Sequence, residues 1–311
     1  MNIKKAAVLG TGTMGHGISQ ICAMAGLHVN MYGRSDASLE RGFTKIENSL
    51  KDLMEEGKLT DCKVRKILSR INGVKSIEAA SSGAEIIIEC LAEDLQLKQK
   101  IFNKLDSICS REVILATNTS GLSPTKISEA VNYPERVVVA HFWNPPQFIP
   151  LVEVVPGKHT SGEIMDRTME FIDFIGKKGV RLEKECPGFI GNRLQLALLR
   201  EALYIVEQGF AKPEEVDKAV EYSFGRRLPA TGPLCSADMG GLDIFYNISS
   251  YLFRELCSSK DASEMLKQLV DAGKLGLKAG NGFYNWTDDF SDKKQEERTR
   301  VLKYFLQQDN K

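Results

Sequence analysis

The run Ala6-Ala7-Val8-Leu9-Gly10-Thr11-Gly12-Thr13-Met14-Gly15 carries an apolar strand straight into a glycine turn. A helical pattern follows at once, with Ile18, Ile21, Cys22 and Ala25 on one face. That order is what a nucleotide pyrophosphate site requires. Gly10 makes the tight turn, Gly12 lets the backbone approach the phosphates, and Gly15 lets the helix pack on the strand. The helix N-terminus, entered through Thr13 and Met14, then offers free N–H groups and a positive dipole end to the anion. A second strand-like run, Val29 to Tyr32, follows at the spacing of a βαβ unit. A GxGxxG alone is a weak signal; placed between strand and helix it marks a dinucleotide-binding domain.

The end of the second strand bears on which dinucleotide. An Asp or Glu there would hold the adenosine ribose hydroxyls of NAD. This chain has Gly33-Arg34-Ser35 instead. Without the carboxylate, a 2′-phosphate meets no repulsion, and Arg34 supplies a planar cation and Ser35 a hydroxyl. NADP(H) is therefore the favoured cofactor and NAD(H) the alternative, with Asp36 then doing the acid's work one turn later.

At 311 residues the chain has room for two domains and a well-buried core. Acidic and basic residues balance at 41 each, so no global field favours nucleic acid or an anionic membrane. The seven cysteines are scattered, without CxxC spacing, and read as reduced thiols of a cytoplasmic protein. No apolar run approaches the ~20 residues that span a bilayer. The strand beginning at residue 6 leaves no space for a signal peptide.

Ala37 to Ser69 is too long for one crossover helix and reads as a helical hairpin turning near Gly57–Asp61, with Thr60 or Asp61 capping the second arm. Ile86–Cys90, Val113–Ala116 and Val137–Ala140 are short continuous apolar runs of the kind found in buried parallel strands, with Leu151–Val155 and Val180–Leu182 as further candidates. The alternation predicts a doubly wound α/β sheet of the Rossmann type over residues 1–186. Beyond Pro187-Gly188, the segments Phe189–Gln208, Pro213–Tyr222, Leu242–Leu256 and Ala262–Ala272 read as helices with no strand between them. Residues 187–311 are thus an all-α second domain, whose charged end, 288–311, reads as solvated.

Four histidines are present. His16 lies beside the phosphate turn, His28 before the second strand and His159 in a polar loop. His141 ends a buried strand at the carboxyl edge of the sheet, where α/β proteins bind ligands. Phe142-Trp143-Asn144-Pro145-Pro146 follows it, and Glu153 lies on the next apolar run. A histidine oriented by a buried carboxylate is a general-base pair; a core histidine satisfied by a backbone carbonyl gives the same pattern.

Gly10–Gly15, Glu93 with Lys98, Asn118-Thr119-Ser120, His141–Pro145 with Glu153, Pro187–Arg193 and Leu275–Lys278 with Gly282-Phe283-Tyr284 occur in that order. Together they resemble the L-3-hydroxyacyl-CoA dehydrogenase family nearly end to end. The resemblance implies that His141 is the base for the 3-hydroxyl proton, that Glu153 orients it, and that Ser120 and Asn192 hold the substrate oxygen, with Asn144 nearby. It implies that Glu93, Lys98 and Asn118 lie by the cofactor, that no metal is used, and that the C-terminal domain forms a homodimer. The expected substrate is a short-chain 3-hydroxyacyl-CoA, with Lys51 and Lys58 on its phosphates.

Two departures keep other substrates in view. Coenzyme A-binding members carry a lysine near the end of the first hairpin helix, where this chain has Glu56. The Asn144-Pro145-Pro146 and Ile149–Glu153 stretch is similar to the branch acting on small free hydroxy acids or alcohols (gulonate, carnitine and pyridine-alcohol dehydrogenases), for which Arg226-Arg227 offers a carboxylate clamp. A catalytically silent crystallin-like protein is a third possibility.

Overall fold

A computed structural model describes residues 3–309. The chain opens with β1 (Lys5–Leu9), α1 (Gly15–Met24) and β2 (His28–Tyr32). A hairpin of α2 (Asp36–Glu55) and α3 (Asp61–Leu68) follows, then β3 (Ile71–Val74), α4 (Ile77–Ser81), β4 (Ile86–Glu89), α5 (Leu95–Ile108), β5 (Ile114–Thr117) and α6 (Pro124–Ser128). The sheet finishes with β6 (Val137–Phe142), β7 (Leu151–Pro156), α7 (Gly162–Phe174) and β8 (Lys178–Arg181). The remaining helices are α8 (Gly191–Glu207), α9 (Pro213–Glu221), α10 (Pro233–Gly240), α11 (Leu242–Leu252), α12 (Glu264–Asp271) and α13 (Asp288–Asp309).

The strands form one sheet in the order β3-β2-β1-β4-β5-β6-β7-β8. Alternate residues serve its two faces, which is why the strands read as unbroken apolar runs. Ala6, Val8, Ile86 and Ile88 pack under α1, α2 and α7, whereas Ala7, Leu9 and Ile87 pack against Phe102 and Leu105 of α5. All neighbours run parallel except β6 and β7. Residues 143–150 are too few for a crossover, which takes about a dozen, so β7 returns antiparallel. β3 carries Asn72 and Gly73 between its apolar ends, and gave no apolar run to read.

The hairpin appears where the sequence placed it. Ser35 caps α2 in a reciprocal box with Ser38, and Thr60, not Asp61, caps α3 through the N–H of Lys63.

The chain divides into two compact units: residues up to Ile190 together with those from Arg300 onward, and Gly191–Thr299. In the second unit α8 packs with α9 and α12, and the Tyr284 hydroxyl donates to Asp217 Oδ2 at 2.6 Å. Its helices leave large apolar side chains exposed, among them Leu196, Leu234 and Tyr246. The charged C-terminal stretch, expected to be solvated, is mostly exposed; it is helical to Asp309, and residues 300–309 group with the first unit. No helix among the described residues is long and apolar enough to cross a membrane.

Candidate active site

The glycine turn has the form that the spacing requires. Gly10 has φ +123°, and a Cβ there would meet the Cys90 carbonyl oxygen at 2.8 Å. A Cβ at Gly15 would lie 2.0 Å from the Gly10 oxygen. A Cβ at Gly12 would meet nothing within 4 Å, so protein packing does not explain that glycine, whereas a close ligand does. No side chain caps α1; the His16 N–H reaches the Gly12 carbonyl oxygen at 3.3 Å, and the helix directs its positive dipole end to where a phosphate would lie. The residues present therefore fit a dinucleotide. His16, missed as a site residue, donates from Nδ1 to the Gly12 carbonyl oxygen at 2.7 Å. Burial lowers its pKa, outweighing that hydrogen bond, so it stays neutral beside the phosphate turn.

At the end of β2, Gly33 has no room for a carboxylate: a Cβ would meet Ser38 Oγ at 2.7 Å and Leu39 Cγ at 2.8 Å. Arg34 is exposed. Ser35, expected at a 2′-phosphate, spends its oxygen on capping α2. Asp36 pairs with Lys75 at 3.0 Å.

His141 and Glu153 are direct partners in the antiparallel β6–β7 register, so their side chains share one face. His141 Nδ1 lies 2.8 Å from Glu153 Oε2. Both residues are buried, His141 6 % exposed and Glu153 fully enclosed. The carboxylate also accepts from Trp143 Nε1 at 3.2 Å and, on its other oxygen, from the Ile190 N–H at 2.9 Å. The rings of Trp143 and Phe189 flank the imidazole, each 5.6 Å from it between centroids. A carboxylate only accepts, so Nδ1 carries a proton, and in the neutral ring Nε2 keeps its lone pair.

A second cluster joins the ends of β4 and β5. Lys98 is buried between Glu89, at 2.7 Å, and Glu93, at 3.4 Å. Glu89 also accepts from Thr117 Oγ1 at 2.8 Å. Glu93 accepts the Thr119 hydroxyl and the Ser120 N–H. Burial would raise its carboxyl, but these donors and the Lys98 charge prevail and hold it below the usual range. Glu89 was missed because a carboxylate closing an apolar run looks like a strand's polar boundary. Asn118 links the two clusters, its Oδ1 accepting the Phe142 N–H at 2.8 Å.

The remaining expected site residues fall in several elements. Asn144 is exposed in the 143–150 segment, and Asn192 sits in the first turn of α8 in the second unit. Arg226 stacks over Tyr222, 4.7 Å from its centroid. In the hairpin, Lys51 faces Glu55 at 3.8 Å and Lys58 pairs with Glu56 at 2.6 Å. Glu56 is also bound by Lys303 of α13. Burial would raise the Glu56 carboxyl, but the hydrogen bonds from the two lysines outweigh it and lower it.

A doubly wound sheet with this phosphate turn, and an imidazole–carboxylate pair at its carboxyl edge, defines a nicotinamide-dependent oxidoreductase. Residues 5–186 match the model of the 3-hydroxyacyl-CoA dehydrogenase NAD binding domain, and residues 188–286 that of the 3-hydroxyacyl-CoA dehydrogenase C-terminal domain. The chain belongs to the 3-hydroxyacyl-CoA dehydrogenase family. It is 38 % identical to a probable 3-hydroxybutyryl-CoA dehydrogenase of Bacillus subtilis, over 94 % of this chain and 100 % of that one. It is similar in structure to 5-formyl-3-hydroxy-2-methylpyridine 4-carboxylic acid 5-dehydrogenase, described as an NAD+-dependent dismutase: TM-score 0.90, 33 % identity, 98 % of this chain and 99 % of that one. For (S)-3-hydroxybutyryl-CoA dehydrogenase of Ralstonia eutropha the TM-score is 0.78, with 34 % identity, 92 % of this chain and 100 % of that one.

Proposed function

We propose that this oxidoreductase interconverts a hydroxyl and a carbonyl on a short hydroxy acid, with His141 as the acid–base group. The observation that carries the reading is the buried 2.8 Å contact between His141 Nδ1 and Glu153 Oε2. It leaves Nε2 as the acceptor of the substrate's hydroxyl proton in oxidation and its donor in reduction. Proton transfer by a positioned base is worth ~10²–10⁴ in rate, and Glu153 supports it by fixing the tautomer and stabilising the imidazolium that forms. Ser120 and Asn192 are assigned to the substrate oxygen by the family resemblance alone. The dinucleotide, held by the Gly10–Gly15 turn, supplies the hydride acceptor or donor. We assign NADP(H) as the preferred form because exposed Arg34 follows a strand end that has no space for a carboxylate.

The geometry favours a substrate free of coenzyme A. Lys51 and Lys58, the cations expected at the coenzyme's phosphates, face carboxylates of the hairpin itself. Lys303, from a helix beyond the matched family domains, closes on Glu56. The coenzyme A thioester is the second reading, supported by the relatives of that name. Exposed apolar side chains of α8, α10 and α11 support a homodimer through the second unit, which light scattering tests. We place the protein in the cytoplasm on its free, unpaired thiols.

The deciding assay follows nicotinamide absorbance with acetoacetate and acetoacetyl-CoA, each with NADPH and NADH. Faster turnover of the free acid supports the lead reading, and faster turnover of the thioester replaces it with the second. In the latter case Glu56→Lys should lower KM for the thioester. No turnover of any hydroxy or oxo acid, by protein that binds dinucleotide, would leave a silent binding protein.

A further inference from the structure

The turn that leads from α7 into β8 holds a buried cation. Lys177 is 5 % exposed, and no carboxylate pairs with it among the described residues. Its Nζ instead donates to the carbonyl oxygens of Pro146 at 2.6 Å and Ile149 at 3.0 Å. Both acceptors belong to the 143–150 segment, which joins the His141 strand to the Glu153 strand. An ammonium without a counter-charge is costly to bury; an apolar side chain would fill this place more favourably. What the lysine adds is two charge-assisted hydrogen bonds to that segment.

The segment also packs against the helix of the phosphate turn. A Cβ at Gly17 of α1 would lie 2.6 Å from Pro146 Cγ and 2.9 Å from Gln147 Oε1. Internally the segment has two bonds, from the N–H groups of Phe148 and Ile149 to the Pro145 carbonyl. It thus touches both α1 and Lys177, and its first residue is Trp143, whose ring flanks His141 and whose Nε1 shares the Glu153 carboxylate.

We propose that Lys177 is a positioning residue for the reaction: by tying Pro146 and Ile149 it holds the 143–150 segment so that Trp143 stays against the His141–Glu153 pair. The proposal rests on the reading of that pair as the acid–base machinery, and it makes the arrangement sensitive to alkali. Burial pushes the Lys177 ammonium down to about 8. The charged groups lining the same cavity, of about 440 Å³, are Lys58 and Lys303, both bound to Glu56; α1 and the 145–149 stretch contribute no titratable group to it. Below that pH charged donors hold both carbonyls. Above it a neutral amine donates more weakly, and the tie loosens.

The test reads Trp143 fluorescence between neutral and alkaline pH in a Trp286→Phe background, which leaves Trp143 as the sole tryptophan. A transition is expected near pH 8, absent in Lys177→Met; in Lys177→Arg, which stays charged throughout, emission keeps its neutral-pH form. Repeating the titration in His141→Ala removes the imidazole's own quenching. With substrate, Lys177→Met should lose roughly tenfold or more in kcat, since small misplacements of the machinery are that costly, with unchanged dinucleotide affinity; Lys177→Arg should recover part. A transition that survives in Lys177→Met, or an unchanged kcat in that variant, overturns the proposal. The fluorescence arm needs no substrate, so it decides the point even if the functional reading fails.

Discussion

Replacing Glu153 by glutamine keeps the shape of the side chain and removes its charge. The consequence can be worked from three of the groups that donate to it. Oε2 takes His141 Nδ1 at 2.8 Å and Trp143 Nε1 at 3.2 Å, while Oε1 takes the Ile190 N–H at 2.9 Å. A glutamine has one oxygen for these two sites. If its carbonyl serves the rings, its amide N–H groups confront the Ile190 N–H, and a buried donor left unpaired costs about 1–3 kcal/mol of stability. The larger effect is on rate. As His141 takes the proton it becomes a cation beside the carboxylate, an attraction of about 4 kcal/mol at 4 Å with an effective dielectric of 20. Allowing for partial charge in the transition state, the loss is roughly 2–4 kcal/mol, or ~30- to ~10³-fold in kcat at about 1.4 kcal/mol per decade. Steady-state turnover by nicotinamide absorbance gives kcat, and dinucleotide fluorescence gives an affinity that should not change. A Glu153→Gln enzyme with unaltered kcat would refute the assignment of this pair to the proton step.

His141→Ala should abolish turnover while dinucleotide binding persists; turnover at the parent rate would remove the mechanism. Arg34→Ala should lower the NADPH/NADH ratio of kcat/KM by about tenfold, one charge-assisted contact being worth ~1.5 kcal/mol or more, and an unchanged ratio would make Arg34 a bystander. Lys98→Met leaves Glu89 buried without its cation and should cost ~3–5 kcal/mol in denaturant unfolding, part of it recovered when Glu89→Gln is added. Because the folded-state pKa of Glu56 is lowered, its contribution to docking residues 300–309 is complete above the ordinary glutamate value of about 4.3. It fades as pH falls through the lowered one. Limited proteolysis should therefore release that segment in acid but not at neutral pH, and at both in Lys303→Ala; equal protection in the two proteins would show the ion pair to be idle.

The dinucleotide site was legible because each of its demands falls on consecutive residues. Gly10 must turn, Gly15 must let the helix touch the strand, and a Cβ at either collides with backbone. Gly12 is different, since nothing in the protein crowds it, and its need for glycine is visible only through the ligand. The unbroken apolar strands announced a sheet covered on both faces. What local pattern could not carry was the Glu89–Lys98–Glu93 cluster, in which Glu89 reads as a strand boundary until Lys98 of α5 closes over it. The charge pattern of the C-terminal helix announced its largely exposed surface, whereas the contact of Lys303 with Glu56, far away in the chain, had no local signal.

The sequence by itself determined the class of domain and the hairpin, because these follow from turn geometry and helical period; it singled out His141 as a candidate by its position at a strand end and by resemblance to the family. The tertiary structure decided what that histidine is paired with. A connection too short for a crossover turns β7 antiparallel, and antiparallel register sets Glu153 directly opposite His141. The same return places Pro146 and Ile149 within reach of Lys177. Which side chains share one buried volume depends on strand direction and packing between distant segments, and those are properties of the folded chain that no local stretch encodes.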